Sequence, residues 1–126
     1  MRVLLCLSII IFASAGNANG SDALCEIAST DRDFQRCAVC HTKTPESSHL
    51  SGPNLWGIVG RRAGSAEGYT YSRAIADSGV IWNEDSLRQY LSQPSQFLPG
   101  NRMMMAPIQD TEELDRIICH LKSLSE

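Results

Sequence analysis

Five consecutive residues, Cys37, Ala38, Val39, Cys40 and His41, hold the densest chemistry in this chain. The pattern C-x-x-C-H is an attachment site for a covalently bound haem. Each thiol adds across one vinyl group, and the neighbouring imidazole is held against the iron as its fifth ligand. A C-x-x-C pair alone also fits a redox dithiol or half of a zinc site. A dithiol calls for a preceding strand and a helix that opens at the first cysteine, and zinc calls for two further ligands at short spacing. The sequence offers neither context, so the residues point to haem.

The chain around this pentapeptide must deliver it to a suitable compartment and fold around it. Met1-Arg2, the apolar run from Val3 to Phe12 and Ala13-Ser14-Ala15 have the form of an export signal. The run is too short to span a bilayer, which takes about twenty apolar residues. Residues 1–20 are therefore read as a signal peptide and flexible start, cleaved after Ala15 or alternatively near Gly20. Residues 21–126 are read as a single domain. Cys6 leaves with the signal and is a poor site for a lipid, because Leu5 before it is bulky. The full chain has a formal charge of −3, and loss of Arg2 makes the remainder one unit more negative. No basic stripe is present, so nucleic acid is not an expected partner. Aromatic residues are only 6% of the chain, so a buried porphyrin would supply much of the core, and folding is expected to require it.

With Cys6 removed, Cys25 and Cys119 stand outside the haem motif as an even remainder in an exported chain. They form either a disulfide that pins the N-terminal segment to the last helix or two free thiols. The disulfide would close a loop of about ninety residues and contribute on the order of 4 kcal/mol.

Periodicity indicates helices and long structured loops, with weak strand signals. Leu24, Ile27, Phe34 and the cysteines give an imperfect helical stripe from Leu24 to Cys40. Residues 42–68 contain Gly and Pro and lack helical periodicity; so long an irregular stretch needs something to organise it. Asn83 can cap a helix through Leu87, Tyr90 and Leu91 that Pro94 stops. Asp110 followed by Glu113 resembles a capping box, and Leu114, Ile117, Ile118, Leu121 and Leu124 repeat at helical spacing.

Further residues give the chain a family resemblance. His49, Gly52-Pro53-Asn54-Leu55, Gly57, Gly60-Arg61, Gly64, Tyr69-Thr70-Tyr71-Ser72, Ala74, Trp82, Leu87, Tyr90-Leu91, Pro94, Pro99-Gly100-Asn101-Arg102-Met103 and Ile118-Cys119-His120-Leu121-Lys122 follow the pentapeptide in register. From Cys37 to Lys122, with no gap, the chain resembles a class I c-type cytochrome of the mitochondrial and related bacterial type. The resemblance implies an all-α fold, with helices and Ω-like loops wrapped around one covalently bound haem c. It implies thioether bonds from Cys37 and Cys40, axial ligation by His41 and Met103, and a hydrogen bond from His41 to the carbonyl of Pro53. It further implies that Arg61, Tyr71 and Trp82 hold an inner haem propionate, and that Tyr90 and Asn101 stand near the axial sulfur. Met104, Met105, His49 and His120 are the other donors that could reach iron. Met104 and Met105 are expected to be packing groups, His49 to bond across loops, and His120 to contact the first helix.

The chain also departs from the family pattern. Phe34 stands three rather than four residues before Cys37, Ser29 replaces a glycine at the helix crossing, and Ile75 replaces a polar residue. Leu50, Ser95, Gln96, Gln109 and Asp110 stand where the family carries lysines, while Arg36 and Arg102 remain. Steering toward an acidic partner is therefore expected to be weak, with a modest ionic-strength dependence.

The resemblance implies a soluble, monomeric electron carrier of the periplasm, with no stable membrane anchor and no enzymatic activity. It would dock transiently on membrane redox complexes or periplasmic dehydrogenases. The alternatives are a five-coordinate or ligand-switching haem protein with peroxidase or small-ligand sensing activity, a thiol-disulfide catalyst, and a subunit held by a larger enzyme.

Overall fold

The computed structural model describes Cys25 and residues 31–125. The expected signal peptide and its cleavage site, the start of the first helix at Leu24 and Ile27, and Ser29 lie outside the described residues.

Five helices lie within 31–125: α1 Asp31–Ala38, α2 Arg73–Ala76, α3 Glu84–Ser92, α4 Pro94–Phe97 and α5 Thr111–Ser123. Among the described residues no strand forms, and the single bridge joins Arg62 to Ile81 in antiparallel sense. The architecture is all-α. α5 packs against both α1 and α3, and α3 packs against α4.

Side-chain periodicity explains why α5 sits centrally. Leu114, Ile117, Ile118 and Leu121 fall on one face and are all buried, with Ile118 among the most enclosed side chains. Phe34 and Cys37, one turn apart on α1, are buried in the same core, as are Leu87 and Leu91 on α3. Ion pairs rivet the outer surfaces of these contacts: Arg116 to Asp33 across α1 and α5, and Arg88 to Asp115 and Lys122 to Glu84 across α3 and α5. Cys25 and Cys119 form a disulfide with Cα atoms 4.9 Å apart, which resolves the choice between a bridge and two free thiols.

The helix ends show where local rules hold and where tertiary contacts override them. At α3 the Asn83 carboxamide accepts from Ser86 N while the Ser86 hydroxyl accepts from Asn83 N, a complete reciprocal cap. At α5 Asp110 accepts from Glu113 N at 2.8 Å, but the expected second half of the box does not form. The Glu113 carboxylate instead takes Arg36 of α1 at 2.5 Å. The expected first helix, drawn through to Cys40, ends at Ala38 and closes in a turn in which Cys40 N and His41 N both donate to the carbonyl of Cys37. Pro94 does end α3, yet it also opens α4 from the first helical position, where its missing N–H costs nothing.

Candidate functional site

The turn after α1 places the two thiols differently. Cys37 is buried and Cys40 is exposed, and neither is in a disulfide. Burial raises the Cys37 thiol above its ordinary range, with the nearby Arg36 charge acting against that. His41 follows at once, and its Nδ1 donates to the carbonyl of Pro53 at 2.7 Å. A carbonyl can only accept, so the proton resides on Nδ1 and the Nε2 lone pair is left to face a metal. Burial pushes the imidazole pKa down, against the Pro53 hydrogen bond, and the Arg61 charge lowers it further. The neutral ring that a ligand must present is therefore the favoured form.

Gly52 is what lets the loop close over this ring. A Cβ at residue 52 would stand 2.4 Å from the His41 Cε1 and 2.8 Å from Nε2. Gly52 N also donates to the carbonyl of Cys40 at 2.7 Å, tying the loop to the pentapeptide.

Asn54, buried to 8% exposure, organises the stretch that periodicity left irregular. Its Nδ2 donates to the carbonyls of Thr44 and Ser47, its Oδ1 accepts from Trp56 N, and its own N–H donates to His49 Nδ1. Because His49 Nδ1 accepts, Nε2 holds the proton and donates to the Glu67 carbonyl at 2.7 Å. Both ring nitrogens are engaged between loops, as expected. His120 packs its ring 5.3 Å from that of Phe34 on α1, which is also the expected contact.

Arg61, Tyr71 and Trp82 come together. Trp82 N donates to the Arg61 carbonyl at 2.9 Å, and Gly60 N to the Trp82 carbonyl at 2.6 Å. The Arg61 guanidinium donates to the carbonyls of Trp56 and Asn54 at 3.0 and 2.9 Å. A guanidinium has about five N–H donors, so these two bonds leave capacity for an anion. Burial raises the Tyr71 hydroxyl above its ordinary range, and the Arg61 charge counteracts this, which marks the two as electrostatic neighbours. Trp82 stacks toward Tyr90 at 5.0 Å and Phe97 at 6.5 Å, so it is a core aromatic as well.

The second candidate ligand is set by Asn101. Its Oδ1 accepts from Met103 N at 2.9 Å and from the Tyr90 hydroxyl at 3.2 Å, while Nδ2 donates to the carbonyls of Pro94 and Leu98. Burial pushes the Tyr90 hydroxyl up to about 12, with Tyr69 adding to the shift. Met103 and Met105 are half-buried and packed against the core. Met104 is 98% exposed, which corrects the expectation that it is a packing group. Burial alternates along Met103, Met104 and Met105, so its side chain turns to solvent while those of its neighbours pack inward.

The donor set fits a haem. Two unpaired thiols, an imidazole pinned through its far nitrogen and a clamped thioether are the groups that covalent attachment and two axial bonds require. Among the described residues no group of three or more His, Cys, Asp or Glu converges as a metal cage, so the zinc reading lacks further ligands. Fold and site together define a helical domain built for a covalently attached haem.

The relatives agree. No family model matches the chain. The chain is 34% identical over 125 residues to a cytochrome c2 of Blastochloris viridis, covering 99% of this chain and 95% of that one. It is 38% identical to a cytochrome c2 of Agrobacterium tumefaciens over 76% of this chain and 89% of that one. Among solved structures it is similar to cytochrome cH from Methylobacterium extorquens, with a TM-score of 0.69 and 36% identity over 74% of this chain and 93% of that one. The chain belongs to the class I c-type cytochromes, a family of electron-transfer proteins with covalently bound haem.

Sequence reasoning placed Asn54 only as part of a motif and assigned Gly52 no role. The signal for both was their position in Gly52-Pro53-Asn54, flanking the residue whose carbonyl must meet His41.

Proposed function

We propose that this protein is a soluble, monomeric, single-electron carrier of the periplasm that docks transiently on membrane redox complexes or periplasmic dehydrogenases. Residues 1–20 act as the export signal and flexible start, and 21–126 form the single working domain. Bound haem c supplies an iron that changes charge by one electron. Cys37 and Cys40 would hold the macrocycle, and His41 and Met103 would supply the two protein ligands to its iron. Arg61, Tyr71 and Trp82 neutralise and orient an inner propionate, a charge too costly to bury without partners. Tyr90 and Asn101 hold Met103 in place, and a fixed thioether raises the potential relative to a second histidine.

The bond from His41 Nδ1 to the Pro53 carbonyl carries this reading, because it selects the tautomer a metal needs. The Asn101 clamp on Met103 favours saturated coordination over the open-site alternative. The test is an optical spectrum of the exported protein in both oxidation states, with the intact mass. The expected result is one covalent haem, a thioether-to-iron band near the red end of the oxidised spectrum that disappears in Met103→Ala and survives in Met104→Ala, and a mass lacking the leader. A colourless protein, or a band lost with Met104 and not Met103, refutes the assignment.

A further inference from the structure

Met103, Met104 and Met105 are consecutive, and the fourth methionine, Met1, opens the expected leader. The three thioethers are chemically alike, and the fold gives them unequal access. Met103 and Met105 are half-buried against the core, while Met104 is 98% exposed. Residues 101–110 form neither helix nor strand, yet the segment is pinned on both sides of Met104. Met103 N donates to Asn101 Oδ1 at 2.9 Å, and Ile108 N donates to the Leu91 carbonyl at 3.1 Å. The open sulfur is thus held next to two sheltered ones.

Oxidation has unequal consequences at the three positions. It converts a thioether to a sulfoxide, so that an apolar side chain becomes polar. At Met105 the S=O group would be pressed against the core, where an unpartnered dipole is costly. At Met103 it would also replace the thioether donor proposed for iron. At Met104 the new dipole points into water and disturbs no packing. A sulfoxide is also the reversible product of methionine oxidation, restored by dedicated reductases.

We propose that Met104 is a sacrificial oxidation site, whose sulfur takes the first equivalent of a two-electron oxidant, hydrogen peroxide or hypochlorous acid, and so spares Met103. In the net step the sulfur gives up two electrons and gains an S–O bond as the O–O or O–Cl bond breaks. Peroxide leaves as water, and hypochlorous acid leaves as chloride and a proton. The proposal rests on the haem reading above, because iron ligation adds to the burial that shields the Met103 sulfur.

The test treats the holoprotein with hypochlorous acid at no more than an equimolar dose, so that oxidant consumed at Met104 is denied to its neighbours. The readouts are peptide mass mapping and the thioether-to-iron band. In the parent, sulfoxide at 104 should exceed that at 103 or at 105 by about tenfold, following access to the sulfur, and the band should persist. Met104→Leu keeps an apolar side chain at the exposed position. In that variant the same dose should raise both sulfoxide at 103 and loss of the band several-fold. A parent that loses its band in step with the first oxygen added, or a leucine variant whose band survives the dose as the parent's does, would overturn the proposal. A parent that lacks the band before any oxidant is added sinks the underlying haem reading, which keeps the two failures distinct.

Discussion

Removing the Cys25–Cys119 bridge gives the sharpest test of what holds the two ends of this domain together. The cysteines are 94 residues apart in sequence. In the chain-entropy account, freeing a loop of that length in the unfolded state costs about 4.6 kcal/mol of stability. The thioether bonds do not replace it, because Cys37 and Cys40 anchor one short segment and leave the ends free to separate. For a domain of this size each kcal/mol moves the melting temperature by roughly 4–8 °C, so the double variant Cys25→Ser/Cys119→Ser should melt at least about 20 °C lower. The assay is thermal and guanidinium unfolding of both holoproteins followed by far-ultraviolet circular dichroism, with full haem loading checked by absorbance. A loss under about 1 kcal/mol would refute the entropic reasoning. It would mean that residual contact between the α1 and α5 segments already restrains the ends of the unfolded chain, or that the native bridge carries an offsetting cost.

Other perturbations separate the remaining contributions. Gly52→Ala should force the His41 ring out of place, destabilising by about 1–3 kcal/mol and lowering covalent haem yield, measured by absorbance per polypeptide and by melting; unchanged yield and melting would contradict the close approach. Asn101→Ala leaves Met103 N, the Tyr90 hydroxyl and two carbonyls without their shared partner. It should cost about 1–3 kcal/mol and weaken the red-end band, and an intact band at full strength would count against the clamp. Tyr90 takes up its charge only near 12, against an ordinary value of 10.0. The unfolded chain therefore ionises first, and the Tyr90 contribution is fully present below 10 and lost as pH rises from 10 toward 12. An ultraviolet titration should show a late phenolate step that Tyr90→Phe removes; a step at the ordinary value would show the ring to be solvated.

Periodicity was informative where an element was long and its burial one-sided. α5 follows directly from Leu114, Ile117, Ile118 and Leu121, and α3 from Asn83 and the Leu87–Leu91 face. α2 and α4, of four residues each, are too short to display a period, and Pro94 read as a stop concealed that it also begins a turn. The half-formed cap at α5 was invisible locally, because Glu113 is taken by Arg36 from 77 residues away. In the site, the pentapeptide and Pro53 were legible as motifs. The exposure of Met104 was not, because three adjacent methionines look alike until the segment has a direction. The organising role of Asn54 was equally hidden, since its five polar contacts join residues that share no pattern.

The bridge between Cys25 and Cys119 also makes the haem-bearing stretch part of a closed covalent ring. A protease that cuts an exposed loop once, anywhere inside that ring, linearises it without releasing a fragment. Such a nicked molecule migrates as one species until a reductant is added, and both halves stay beside the cofactor in a single particle.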